Sequence, residues 1–203
     1  WPRRGIRRRS LESVAMTDPV SPSQGLCVLH LFCRVDTATD ADAVCAAVAS
    51  ARAAGDQVVA VAIVGHKADM ALMVLGDDLW RIRDLQTAVV AAGLEVAGSY
   101  VSMTEISEYA AGVPDEMKQA RLYPQLPPEG KPAWCFYPMS KRRVVGANWF
   151  TLPFDERMGL MREHGASGRT FAGRILQVVT GSTGVDEFEW GVTLFGERPD
   201  DLK

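Results

Sequence analysis

The sequence predicts an α+β fold built of two ferredoxin-like βαββαβ modules, the second of them incomplete. Three observations predict it. Apolar runs of strand length are separated by segments of helical pattern that end in glycine. A proline-rich connection, PQLPPEGKP (124–132), divides the chain. Beyond that connection the same order of elements begins again.

The elements follow in order. CVLHLFCRV (27–35) is a short apolar run rich in strand formers, and ADAVCAAVASARAAG (41–55) is an alanine-rich helix with a glycine stop. VVAVAIVG (58–65) and ALMVLG (71–76) are two further strands joined by a polar link. DDLWRIRDLQTAVVAAG (77–93) opens on acids, keeps apolar residues at helical spacing and ends in glycine. EVAGSYVSM (95–103) completes the first module. In the second half a strand is predicted over 133–143 and a helix over 153–166, capped by Thr151 with a proline following. RILQVVTG (174–181) and FEWGVTLF (188–195) are the next strands, and ERPDDLK reads as the opening of another helix. The modules fall at 23–110 and 132–203, with 111–131 between them. Side by side they would make one continuous sheet with helices outside.

Composition bounds the class. The 203 residues are 47% hydrophobic and 23% charged, in the range of an ordinary globular protein. No run of eighteen apolar residues occurs, so no membrane span is expected. Cys27, Cys33, Cys45 and Cys135 form no CxxC pair and no zinc-ligand pattern, and with no secretory signal they are expected to stay reduced in a cytoplasm. WPRRGIRRR (1–9) carries five arginines, but Met16 opens a more ordinary start. Residues 1–15 therefore read as upstream or non-native, and 1–22 as a disordered or non-native extension. Removing those five charges from the formal −3 leaves −8, which argues against nucleic acid as a partner.

Chemistry-bearing residues are few. His30 and His66 lie in or beside first-half strands and read as structural. His164 shares a helix face with Leu160 and Met161 near a helix end. It could be a satisfied core histidine, one favoured by the helix dipole, or an imidazole ligand to haem iron. In FYPMSKRR (136–143) strand alternation would put Tyr137, Met139 and Lys141 on one face, either a sheet edge or a site. Trp149 and Trp190 read as core by default. There is no G-x-S-x-G, no P-loop and no G-x-G-x-x-G after a strand. GASGRTFAG (165–173) follows a helix and reads as its exit.

FYPMSKRR, NWFTLPFDERMGLMREHG (148–165), GRTFAGRILQVVTGS (168–182) and DEFEWGVTLF (186–195) together resemble the C-terminal half of the chlorite dismutase family. The resemblance is greatest to its coproheme decarboxylase branch and covers about 121–203. It implies a dimeric α+β barrel assembled as a cytoplasmic homopentamer. The implied reaction converts two propionates of iron coproporphyrin III to vinyl groups with hydrogen peroxide, giving haem b. His164 matches the proximal iron ligand, Tyr137 the radical-forming tyrosine, Lys141 the lysine at the second propionate and Met139 a pocket wall. Gln177 matches the distal glutamine, where chlorite dismutases carry arginine, and Trp149 and Trp190 match tryptophans near the haem. Arg121 is the candidate propionate anchor. EMKQARLYP (116–124) lacks the distal histidine of some actinobacterial members. Coproporphyrin ferrochelatase is implied as a transient partner.

By analogy with the first half, a final helix and strand would follow Lys203. A chain of these 203 residues alone is expected to have an unpaired sheet edge, weak activity and poor pentamer formation. Other readings are a haem-binding or haem-transfer protein, a chlorite dismutase or peroxidase, and a plain ferredoxin-like interaction module. Gln177 argues against chlorite as substrate.

Overall fold

β1 (Cys27–Arg34) is the strand around which the first half is built, because both of its faces are buried. The computed structural model describes residues 18–203; the arginine-rich start and Met16 lie outside the described residues. β3 (Met70–Gly76) and β4 (Glu95–Thr104) flank β1 antiparallel, and β2 (Gln57–Ala62) pairs with the far side of β3. β4 also pairs with β8 (Ile175–Gly181) through Met103 and Thr104. β8 is followed by β9 (Trp190–Gly196) and β5 (Ala133–Met139). One seven-stranded antiparallel sheet results, in the order β2-β3-β1-β4-β8-β9-β5. The expected continuity between the halves is therefore present. The second half repeats the order of the first as far as its third strand.

Helices α1 (Ala41–Ala53) and α2 (Leu79–Ala91) cover one face of the first half. Each begins on an aspartate that accepts a backbone N–H, Asp40 from Ala43 and Asp78 from Trp80. Leu29, Leu31 and Cys33 of β1 pack there against Val44, Val48, Ile82, Leu85 and Val89. The opposite face is gathered by the sheet's curvature. Val28, Val59, Met73, Leu75, Val178 and Phe195 make a second cluster, with Trp134 against it. The two edge strands, β2 and β5, border one groove of about 400 Å³ lined by Val59, Val61 and Trp134. All four cysteines are free thiols. No helix among the described residues is long and apolar enough to cross a membrane.

Asp56, buried at the start of β2, accepts from the Arg81 guanidinium of α2 at 2.7 Å and ties helix to sheet. Asp56→Ala is expected to cost about 2 kcal/mol, below the cost of breaking a fully buried pair because Arg81 is one-third exposed. A urea midpoint checks this.

Several elements differ from the sequence reading. The connection holds a helix, α3 (Asp115–Leu122), whose apolar face is a single buried leucine and so left no periodicity. β5 stops at Met139, and Arg143–Val144 (β6) and Ala147–Asn148 (β7) form a separate hairpin. α4 spans Phe154–Arg169 with Pro153 at its N-cap and no side-chain cap. Thr151 instead ends a 3₁₀ turn, its hydroxyl donating to the Asn148 carbonyl. α4 also runs through Gly165 and Gly168, so the glycine-rich exit begins later than expected. Pro199–Leu202 is one 3₁₀ turn. Residues at the head of the described chain are tied down as well: Val20 donates to Asp78 and accepts from Leu79.

Candidate functional site

Register places the residues of the second-half sheet in transverse rows. Tyr137 of β5, Val192 of β9 and Val179 of β8 form one row. Met139, Trp190 and Gly181 form the row on one side, and Cys135, Leu194 and Gln177 the row on the other. At ordinary strand geometry the three rows span about 10 Å across and 14 Å along the strands. The face is continuous with the one that α1 and α2 cover in the first half, through the Met103–Gly181 pair. Here no helix among the described residues lies on it. Tyr137 is 44% exposed, Val179 is 40% exposed and Gln177 is also open. Trp190 is half-buried, its indole N–H donating to Glu105 at 2.9 Å. The Glu105 carboxylate lies where a Cβ at Gly181 would stand, so a larger residue there would push that carboxylate aside.

The hairpin beyond β5 carries the next part of the site. Lys141 lies two residues past the strand end, so the shared strand face of Tyr137 and Met139 does not extend to it. Lys141 and Trp149 lie at the two ends of the β6–β7 hairpin, which brings the Lys141 ammonium to 4.3 Å from the Trp149 ring centre. Burial holds the Lys141 pKa below the usual lysine value, partly offset by the charge of Glu189. Tyr109 meets Trp149 edge-on and stacks on Phe154 of α4. Arg157 of α4 donates to both Glu108 and the Tyr109 hydroxyl. Burial and the neighbouring Glu108 push the Tyr109 phenol pKa up, with Arg157 opposing.

α4 is the third part. It has sixteen residues, none of them buried, and no extended packing against any strand. His164, expected near the helix end, stands five residues before it and is exposed. A satisfied core histidine is therefore ruled out. Trp149 and Trp190 are likewise half-buried at this site and not core residues. His66 is exposed in a turn, whereas His30 is fully buried and bonded to Thr193. Arg121 is exposed in the last turn of α3, and none of its contacts joins it to the other candidates. No cluster of three metal-ligating side chains occurs among the described residues, so a metal would have to bring its own ligands, as a porphyrin iron does.

Sequence reasoning missed Glu189 and Arg157, which lie inside the quoted motifs, and Glu105 and Tyr109, which lie outside them. Only Glu189 left a local trace, as an acid inside an apolar, strand-forming run.

Comparison with known proteins gives the family and the fold. The coproheme decarboxylase of Staphylococcus carnosus (strain TM300) is 44% identical over 147 residues, 68% of this chain and 58% of that protein. The chain thus spans less than two thirds of the length of that curated relative. A structure described as a novel heme-binding protein from Thermus thermophilus superimposes with a TM-score of 0.76 at 31% identity, covering 88% of this chain and 80% of that one. A mutant chlorite dismutase from Candidatus Nitrospira defluvii shares the fold, with a TM-score of 0.68 at 18% identity over 89% of this chain and 81% of its own. The family model for chlorite dismutase matches residues 36–203, and the chain belongs to that family.

Proposed function

We propose that the chain carries the tetrapyrrole site of a coproheme decarboxylase, which oxidatively removes two propionate carboxyls of coproheme with hydrogen peroxide to give haem b. One observation carries the reading: a sixteen-residue helix bearing His164 has no buried residue, and the adjoining sheet face leaves Tyr137, Val179 and Gln177 open. Beside α1 and α2, which pack on the same side of the sheet in the first half, these bare surfaces suit a flat, largely apolar ligand. The donor set fits as well, because His164 offers an accessible imidazole while the sheet offers a phenol and a carboxamide.

Bound coproheme, with peroxide, supplies the oxidising equivalents. His164 would hold the iron from α4 through its exposed imidazole. Tyr137 presents its phenol at the centre of the sheet face; once the bound coproheme and peroxide had removed one electron and the phenolic proton, the resulting phenoxyl radical would take a hydrogen atom from the reactive propionate and return to the phenol. Lys141 holds the carboxylate of the second propionate through its ammonium, and Met139 forms the wall between these two residues. Arg121, with an exposed guanidinium, anchors a further carboxylate. Gln177 presents a carboxamide on the same sheet face and brings no positive charge there, which disfavours chlorite as substrate. Trp149 and Trp190 border the macrocycle. The protein works in the cytoplasm as a homopentamer, takes coproheme from coproporphyrin ferrochelatase in transient contact, and binds no nucleic acid.

The test is to add coproheme, record the Soret band, then add peroxide and weigh the porphyrin. Two successive losses of about 46 Da are expected, each CO₂ plus two hydrogen atoms, the carboxyl proton and one from the adjoining carbon chain. An unchanged porphyrin would refute the reaction. His164→Ala is expected to weaken coproheme binding at least about tenfold and to shift the Soret band of what remains bound. An unaltered spectrum would exclude His164 as the ligand.

A further inference from the structure

Glu189 is 6% exposed at the foot of β9, immediately before Trp190. One carboxylate oxygen accepts the Lys141 backbone N–H at 2.7 Å, and the other accepts from the Arg143 guanidinium. Its own backbone N–H donates to the Ser140 hydroxyl at 3.2 Å. Three anchor points, Ser140, Lys141 and Arg143, are therefore fastened to one buried acid on the neighbouring strand. We propose that Glu189 is a positioning residue for Lys141, setting where the ammonium stands beside the Tyr137 face and balancing its charge. The role of Lys141 rests on the decarboxylase reading, whereas the clamp is a property of this chain's own contacts.

A buried carboxylate in such a place has two physical effects. It converts the chain after β5 from a free loop into a fixed arm, so the ammonium reaches the Trp149 ring instead of solvent. It also sets a negative charge near a lysine whose pKa burial lowers, and opposes that lowering. The charged groups around Lys141 are few. Glu189 faces it from β9, Arg143 lies on the other side of that carboxylate, and Arg157 of α4 stands beyond Tyr109 with its charge met by Glu108. Arg143 is 58% exposed, so its guanidinium weakens the field of Glu189 without being part of the fold's core.

This arrangement makes two substitutions act in opposite directions. Glu189→Gln keeps an acceptor for the Lys141 N–H but removes the charge, so the Lys141 titration midpoint should move to lower pH. Arg143→Gln leaves the carboxylate unneutralised, so the midpoint should move to higher pH. The measurement is a side-chain ¹³Cε/¹⁵Nζ NMR titration of the protein without porphyrin, with Lys141→Arg to assign the signal. A structural support alone would shift both variants together or neither. An unmoved midpoint in Glu189→Gln, or shifts of the same sign, overturns the proposal. Should Glu189→Gln not fold, the exposed Arg143 still decides the question, since an unmoved or lowered midpoint there is equally fatal. With coproheme and peroxide, Glu189→Gln is expected to retain the first decarboxylation and to slow the second roughly tenfold. If the unmodified protein converts no coproheme, the functional reading fails while the titration still decides the role of Glu189.

Discussion

Tyr137→Phe is expected to slow decarboxylation of coproheme on the order of 100-fold or more, the scale on which a positioned proton- or hydrogen-transferring side chain contributes. Binding should be unchanged. The ring stays, so its packing beside Val192 and against a flat ligand stays with it. The phenol makes no hydrogen bond among the described residues, and Tyr137 is 44% exposed, so the folded state does not depend on the hydroxyl. Stability should therefore change by less than about 0.5 kcal/mol. Peroxide-driven mass loss and a Soret titration on the same preparation separate the two quantities. A carrier that only holds haem would lose neither. If Tyr137→Phe reacts at the unmodified rate, the hydrogen-atom role passes to another residue.

Acid is expected to destabilise the protein through one interior side chain. His30 is fully buried, its Nε2 bonded to the Thr193 hydroxyl of β9 at 2.8 Å and its ring stacked on Phe136 of β5. Its Nδ1 has no partner among the described residues, and burial pushes its pKa down to about 3. The sign follows directly. The unfolded chain takes up this proton near pH 6.5 and the folded chain does not, so stability is complete above 6.5 and falls as the pH drops towards 3. By pH 4.5 the loss attributable to His30 should reach roughly 2–3 kcal/mol. Urea unfolding at pH 7 and pH 4.5 measures it, with His30→Gln as the comparison because glutamine can still meet Thr193 without titrating. Equal acid sensitivity in both proteins would assign the loss to the carboxylates instead.

The strands and the first two long helices were legible because their information is local. The apolar run CVLHLFCRV and the glycine after each helix are written within a dozen residues. The positions of Tyr137 and Met139 on one face were legible for the same reason. Lys141 was not, because the strand ends where Glu189, 48 residues away, captures its backbone N–H. The half-burial of Trp149 and Trp190 was hidden likewise, since Lys141, Tyr109 and Glu105 hold them at the surface of the sheet. α3 escaped because a polar helix with one buried leucine has no stripe to detect. His164 was placed on the right helix by pattern, yet its exposure depends on what α4 fails to touch. Of the candidates that motif resemblance named, the rows of the sheet bring together Tyr137, Met139, Trp190 and Gln177, and the resemblance was silent on the acids beside them.

α4 lacks a capping side chain, contains Gly159, Gly165 and Gly168, and buries none of its residues. Each interior glycine costs about 1 kcal/mol relative to alanine, and an isolated helix of this length is marginal in water. Its amide protons should accordingly exchange first among the helices, well ahead of those in α1 and α2. On the proposed function, a ligand held by His164 would therefore also stabilise the helix that presents it, and part of the binding free energy would be read as slower amide exchange in α4.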